Sequence, residues 1–304
     1  MSVTKNYKEM IKAADIDGLI RWYRQVFVNK YYDMYMNQIE VDGLDYQPYY
    51  YMMGQLWQKG TVWARKNPIN EPVICQYAGF AYNHYNFPTQ VTLINTHNAP
   101  LSEIPNTPQI VDKDGCIIYL RPNRKGLEDD VNYYIDKMAE AETVITINLA
   151  IQRTPWIFAG DGISEAKLKS LTQRILGNDI VVFANCDKND IETVELQRDY
   201  IIDKVTEYEE RLENKLKTLI GVDNQGGYLN REQQNLDTTN SNNDEINDTS
   251  NGMIKTLQDS FERFRKISGI DIKIKATSKP VEQISSPKGK GGTEDGDNDD
   301  LDAA

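Results

Sequence analysis

Residues 223–252, DNQGGYLNREQQNLDTTNSNNDEINDTSNG, restrict the fold more than any other part of the chain. In this stretch only Tyr228, Leu229, Leu236 and Ile246 offer side chains with which to build a core. A segment of that composition cannot bury enough apolar surface to offset the entropy lost on ordering. A loop so long inside a compact domain is expected to be functional or disordered. It therefore divides the C-terminal part of the chain, because helical periodicity is strong on both sides of it.

On its N-terminal side, residues 200–220 predict an amphipathic helix. At 100° per residue, Ile201, Val205, Tyr208, Leu212, Leu216 and Leu219 fall within an arc of about 80°, which is a packing stripe. Lys204, Arg211 and Lys215 project beside that stripe on one edge, and Asp203, Glu209, Glu210 and Glu213 lie away from it. A solvated face with supporting pairs Glu207–Arg211 and Glu213–Lys217 accounts for the charge pattern as it stands.

The rest of the chain alternates between two textures. Residues 17–40 repeat Leu19, Trp22, Tyr23, Val26, Phe27, Tyr31, Met34 and Tyr35 at helical steps, with Asp17 placed to cap, and a shorter helix is expected over 48–59. Between 61 and 120 the short runs TVWARKN, PVICQYAGFAYN, QVTLINT and GCIIYL read as strands, with KDG at 113–115 as a hairpin turn. A helix of roughly 25 residues, about 37 Å long, then runs to a stop at Pro155, with acids in its first turn. Strand, helix, strand, strand follow as an αβ insert, with Gly177 as a helix C-cap. After the polar stretch, MIKTLQDSFERFRKISG resumes helix and IDIKIKA alternates as a strand. The expected units are N-terminal helices (1–60), a β-rich domain (61–122), a long helix (123–154), the insert (155–197), a helix (198–222), the flexible loop (223–252), a helix and strand (253–276) and a disordered acidic tail (277–304).

Charge and cysteine usage exclude several classes. With 46 acidic against 34 basic residues and a net charge of -12, no whole-molecule field draws the chain onto nucleic acid, so any meeting with DNA is local or without a grip. Cys75, Cys116 and Cys186 lie far apart, which argues against a disulfide framework and suits buried thiols in a reducing compartment. No apolar leader or membrane-length run is present, which predicts a soluble protein made in the cytoplasm. The 18 Tyr against 7 Phe favour interfaces as well as cores, a hint of oligomers.

Catalytic constellations are weak. His84 and His97 with Cys75 and Cys116 leave eight, twelve and eighteen residues between them, without the close ligand pairs of ordinary zinc sites. KGKGGT at 288–293 is similar to a phosphate loop but lacks the preceding strand and following helix. Glu128, Asp129 and Asp130, or Asp187, Asp190 and Glu192, could hold Mg²⁺ in a nuclease. The first group, however, suits a helix N-terminus and the second a turn. No cofactor, metal or catalytic residue is expected.

The order of parts resembles the upper collar connector, or portal protein, of small short-tailed bacteriophages with linear, protein-primed genomes. The resemblance rests on NLAIQRTPW at 148–156, GNDIVVFA at 177–184, YIIDKV at 200–205, LIGV at 219–222 and ISGIDIKIKA at 267–276. It is looser over the β domain, where YNFPTQVTLINTHNAP and CIIYL match in character.

The resemblance implies an α+β, portal-protein fold with long stem helices, a small β-rich wing domain and an αβ clip insert. It implies a ring, a dodecamer in that family, at the head vertex of a virion assembled in the host bacterial cytoplasm, with no enzymatic activity. Double-stranded DNA would pass through its channel at packaging and ejection. Major capsid and scaffolding proteins, a packaging ATPase and a lower collar or tail protein would be its partners, with no membrane. By position Lys204 matches a channel-facing basic site and Arg231 one in the loop, whose Asn224, Gln225, Asn230, Gln233 and Asn235 would touch DNA without adhering. Arg211 and Lys215 extend the same edge. Glu195 stands where the family has a further lysine, and the N-terminus carries three lysines in twelve residues rather than a strongly basic arm. A tail or lower-collar adaptor ring is the structural alternative, predicting no clip-like insert between stem helices; a metal-dependent nuclease or packaging enzyme is the other.

Overall fold

The computed structural model describes residues 15–94, 100–101, 104–153, 156–159, 166, 192–195, 200–222 and 236–277. Five helices among them are α1 (Ile16–Met36), α2 (Tyr46–Lys59), α3 (Glu128–Arg153), α4 (Ile202–Ile220) and α5 (Leu236–Ser268). The strands are β1 (Ile39–Asp42), β2 (Thr61–Lys66), β3 (Pro72–Tyr82), β4 (Pro88–Ile94), β5 (Gln109–Ile110), β6 (Cys116–Tyr119), β7 (Trp156–Ala159), β8 (Glu192–Glu195) and β9 (Lys273–Ala276).

α1 packs across α3: Tyr23 meets Thr146 at 2.7 Å, Arg24 bonds Asp136 at 2.7 Å, and Tyr31 reaches Met138. α3 also packs on α4, and α4 on α5. Their facing residues form one large core with the inner face of the sheet, including Tyr31, Tyr35, Met52, Leu56, Ile118, Ile135, Met138, Leu216, Phe261 and Phe264. Burying side chains of this size contributes about 1.5–3 kcal/mol each.

The five-stranded antiparallel sheet has the order β5-β4-β3-β2-β6. Consecutive strands β5 and β6 lie at its opposite edges, yet five residues join them, so the sheet must curl almost into a barrel. The turn that does this holds Asp112 at φ 61°, with Asp112 N–H donating to Gly115 O at 2.8 Å and the Asp114 carboxylate accepting from Ile110 N–H at 2.8 Å. Residues 113–115 therefore turn as expected but join two sheet edges, with Val111 and Gly115 forming only an isolated bridge. Trp63, Cys75, Val91, Leu93 and Ile117 fill the enclosed side as a second, smaller core.

α5 clamps the curled sheet to the helices. Ser260 Oγ accepts from Tyr119 N–H at 3.2 Å, and Arg263 donates to Ile117 O at 2.9 Å while stacking over Tyr119. At the junction between α2 and β2, Gly60 adopts φ +73° and a Cβ there would stand 2.2 Å from the Lys125 carbonyl carbon, so no other residue fits without displacing that loop.

Three expectations are corrected. α1 stops at Met36 rather than near Glu40, and residues 39–42 become β1, paired antiparallel with β9 from Ile39↔Ala276 to Asp42↔Lys273. The cap is Asp15, whose carboxylate accepts from Gly18 N–H at 2.9 Å, while Asp17 sits in the first turn. Residues 236–252 are helical, so the polar stretch 223–252 is not loop throughout; α5 begins at Leu236. Its early turns bury Asn243 as well as Ile246 and Met253, and a core-facing Asn is invisible to a search for apolar periodicity. Only β5 was unexpected in the barrel. In the insert, β7 and β8 pair from Trp156↔Glu195 to Ala159↔Glu192, as two of the expected strands; its helix and Gly177 lie outside the described residues.

Candidate functional site

The geometry of α4 decides where its charges point. Leu212, Leu216, Thr218 and Ile220 are buried, whereas Tyr208 is 46% exposed and Ile201, Val205 and Leu219 are half-buried. The predicted stripe is thus rotated toward Glu209 and Glu213, which are drawn into the seams with α1 and α3 rather than left in solvent. Lys30 of α1 and Lys217 reach the Glu213 carboxylate at 2.9 and 3.0 Å. Burial opposes ionisation of Glu213, but hydrogen bonds from these two lysines outweigh it and hold its carboxyl below the usual range.

Glu209 sits one turn away beside Glu142 of α3. Burial, then the neighbouring Glu142 and Glu213 carboxylates, push it up to about 8. Burial also raises Glu142, which shares a hydrogen bond with Glu209. Two carboxyl groups this close retain a proton between them, as like charges in a partly desolvated seam must. Tyr31, on the facing surface of α1, is raised by burial and by Glu213.

Lys204, Arg211 and Lys215 occupy the opposite, exposed side in one line. Eleven residues of helix separate the first from the last, about 16 Å along the axis. Arg211 is bonded to Glu207, and Glu213 to Lys217, the two i,i+4 pairs expected. Lys204 and Lys215 make no ion pair among the described residues. Gly221 ends the helix at φ 73° with its N–H on Lys217 and Thr218 carbonyls. Arg231, Asn224, Gln225, Asn230, Gln233 and Asn235 lie outside the described residues.

Among the described residues the remaining candidates are not brought together. Cys75 pairs with Trp63 and Cys116 with Ala64, and consecutive strand residues face opposite ways, so the two thiols enter different cores. Burial pushes each thiol up to about 12. His84 stacks on Tyr85 at an exposed turn; His97, Cys186, Asp187 and Asp190 lie outside the described residues. Asp130 is bonded to Arg121 at 3.0 Å at the start of α3, where a helix favours acids. Among the described residues no helix is long and apolar enough to cross a membrane.

Long helices in one bundle, a curled sheet clamped to their side and the paired strands β7 and β8 between α3 and α4 make this an α+β protein. The profile of the family described as Phage Connector (GP10) matches residues 6–281, and the chain belongs to that family. It is accordingly a head-tail connector of a bacteriophage, a structural component of the virion whose family forms oligomeric rings at the head-tail junction. Among solved structures, the chain is similar to one described as the portal and tail of native bacteriophage P68. That similarity has 14% identity and a TM-score of 0.46, and covers 93% of each chain.

Proposed function

We propose that the ring is a dodecamer around a channel for double-stranded DNA, and that α4 turns its exposed cationic edge toward that channel. The observation that carries this reading is the line of Lys204, Arg211 and Lys215 on one solvent-facing edge of a chain with net charge -12. A conduit must let a polyanion slide, and each neutralised phosphate adds counterion-release affinity that would resist sliding. Sparse cations on an acidic wall, one of them already paired with Glu207, give non-specific and weak contact. Residues 224–235, with Arg231 and the amides of Asn224, Gln225, Asn230, Gln233 and Asn235, extend the same lining where the chain passes from α4 to α5.

In this reading α3 and α4 form the stem, the curled sheet with the helix and strand of 253–276 the wing and crown, and residues 155–197 the clip that meets the packaging ATPase and later the lower collar or tail protein. The wing side meets major capsid and scaffolding proteins during assembly in the host bacterial cytoplasm. The activity is conduction and docking, without catalysis. Lys204→Glu with Lys215→Glu is the test: rings in negative stain should persist while the DNA retained per particle falls severalfold. Dissolved rings would instead make these lysines intersubunit contacts, and unchanged DNA content would remove α4 from the channel wall.

A further inference from the structure

The β3–β4 hairpin ends in an exposed, uncharged aromatic tip. None of the 31 residues from 72 to 102 is Asp, Glu, Lys or Arg, in a chain that is 26% charged. β2 pairs with β3 only as far as Cys75, so the far end of the hairpin projects with β4 alone beside it. There Phe80, Tyr82, Tyr85 and Phe87 are exposed, the first at 66% and the third at 69%. Register shifts between Gly79 and Tyr82 re-aim the side chains, as bulges do.

The tip is pre-organised. Asn83 Oδ1 accepts from Tyr85 and Phe87 N–H at 3.0 and 2.9 Å, and Asn86 takes φ 61° to close the turn. Arg124 stacks 4.5 Å over Phe87 and donates to Asn86 O at 3.0 Å. The Tyr82 ring packs where a Cβ on Gly79 would stand. Rigid aromatics on an uncharged element lose little entropy on binding and carry the character of interface anchors.

A receptor for such an element lies elsewhere on the same chain. Between the end of α1, β1 and the start of α2 is an open cavity of about 490 Å³, lined by Ile39, Val41, Leu44 and Tyr49 and also by the polar Asn37, Glu40 and Thr277. No residue of the hairpin lines it. Glu40 lies cross-strand from Lys275, but the Lys275 ammonium bonds Asp42 at 2.7 Å, and Glu40 makes no ion pair among the described residues. A head-to-tail interface that closes a ring needs two different complementary patches on each protomer, in contrast to the single self-complementary patch of a two-fold dimer. Copies with net charge -12 repel each other, so uncharged contact surface is what favours their association.

We infer that residues 79–88 form an aromatic finger that inserts into the α1–β1–α2 groove of the adjacent copy in the ring, with Arg124 facing the neighbour's Glu40. The inference rests on ring assembly, so wild-type full-length protein is the reference, sized by mass photometry at one concentration. Phe80→Ser with Tyr85→Ser should lower the ring fraction at least tenfold and leave the circular-dichroism melt of the subunit unchanged, because both side chains are exposed. Arg124→Glu should weaken assembly as well, and Glu40→Arg added to it should restore rings. Intact rings in the finger variant would overturn the inference and turn the finger toward another virion protein. Lost rings without restoration by the charge reversal would overturn the groove as its receptor. A wild-type chain that forms no ring would sink the ring reading itself.

Discussion

Between α1, α3 and α4, five charged side chains meet in partly buried seams: Lys30, Glu142, Glu209, Glu213 and Lys217. The sheet from β3 to β4 has none, and covers a small core with Trp63, Cys75, Val91, Leu93 and Ile117 while sending its surplus aromatics outward. The contrast teaches what each region can respond to. Charges in a desolvated seam make helix packing depend on protonation, because a buried carboxylate is stabilised only by the partners that neutralise it. An uncharged hairpin responds chiefly to shape, and its apolar contacts are not screened by salt.

The largest test asks whether the two regions are one body. Phe261 is buried in the core that the helices share with the sheet, and Phe261→Ala should cost about 3–5 kcal/mol. Circular dichroism and tryptophan fluorescence should report the same lowered midpoint; separate transitions would show that the barrel folds independently of the bundle. Gly60 joins the regions at φ +73° against the Lys125 backbone. Gly60→Ala should lose more than about 1 kcal/mol, since strain at a left-handed position exceeds the unfolded-state gain. A denaturant midpoint unchanged by the substitution would mean that the loop at Lys125 yields freely.

The third test separates the seam from the barrel by pH. Glu209 rises from an ordinary 4.5 to about 8, so the folded chain holds its proton more tightly than the unfolded one. Its stabilising contribution is complete below about 4.5 and is lost as pH rises through 8. Glu209→Gln, which keeps a hydrogen-bonding group without the charge, should melt above wild type at pH 8.5 and flatten the profile between pH 5 and 8.5. Parallel profiles would assign the slope to another group. Glu213, held below its ordinary range by Lys30 and Lys217, acts in the opposite sense and only toward acid pH. The smallest effect belongs to Arg211→Ala, which removes an exposed pair with Glu207 and should change stability by at most about 0.5 kcal/mol. A larger loss in the isolated subunit would show that the exposed edge of α4 is structural.

Much of the bundle was legible because its helices announce themselves locally. Val131, Ile135 and Met138 recur at helical spacing and are all buried, and α3 runs to Arg153 just before the expected stop. β2, β3, β4 and β6 coincide with runs bounded by Asn, Pro and Gly. Apart from the cap of α1, where Asp15 and not Asp17 bonds Gly18, the misses share one cause, which is that the deciding partner is remote in the chain. β1 is extended because β9 lies more than 230 residues ahead to pair with it. The first turns of α5 are ordered around a buried Asn243, whose burial follows from neighbours and not from its polarity. For the candidate site, the cationic edge of α4 was readable from an eleven-residue spacing, whereas the entry of Glu209 and Glu213 into the seams was not. Their spacing is that of a solvated face, and only α1 and α3 supply the walls.

The type of most elements, the direction of charge along α4 and the uncharged character of residues 72–102 follow from the order of residues, because each depends on neighbours within a turn or two of the backbone. Which face of α4 is desolvated, how β5 and β6 close the sheet, and where finger and groove come to stand depend on surfaces brought together from distant positions. Desolvation and packing act between such surfaces, and no local pattern carries them.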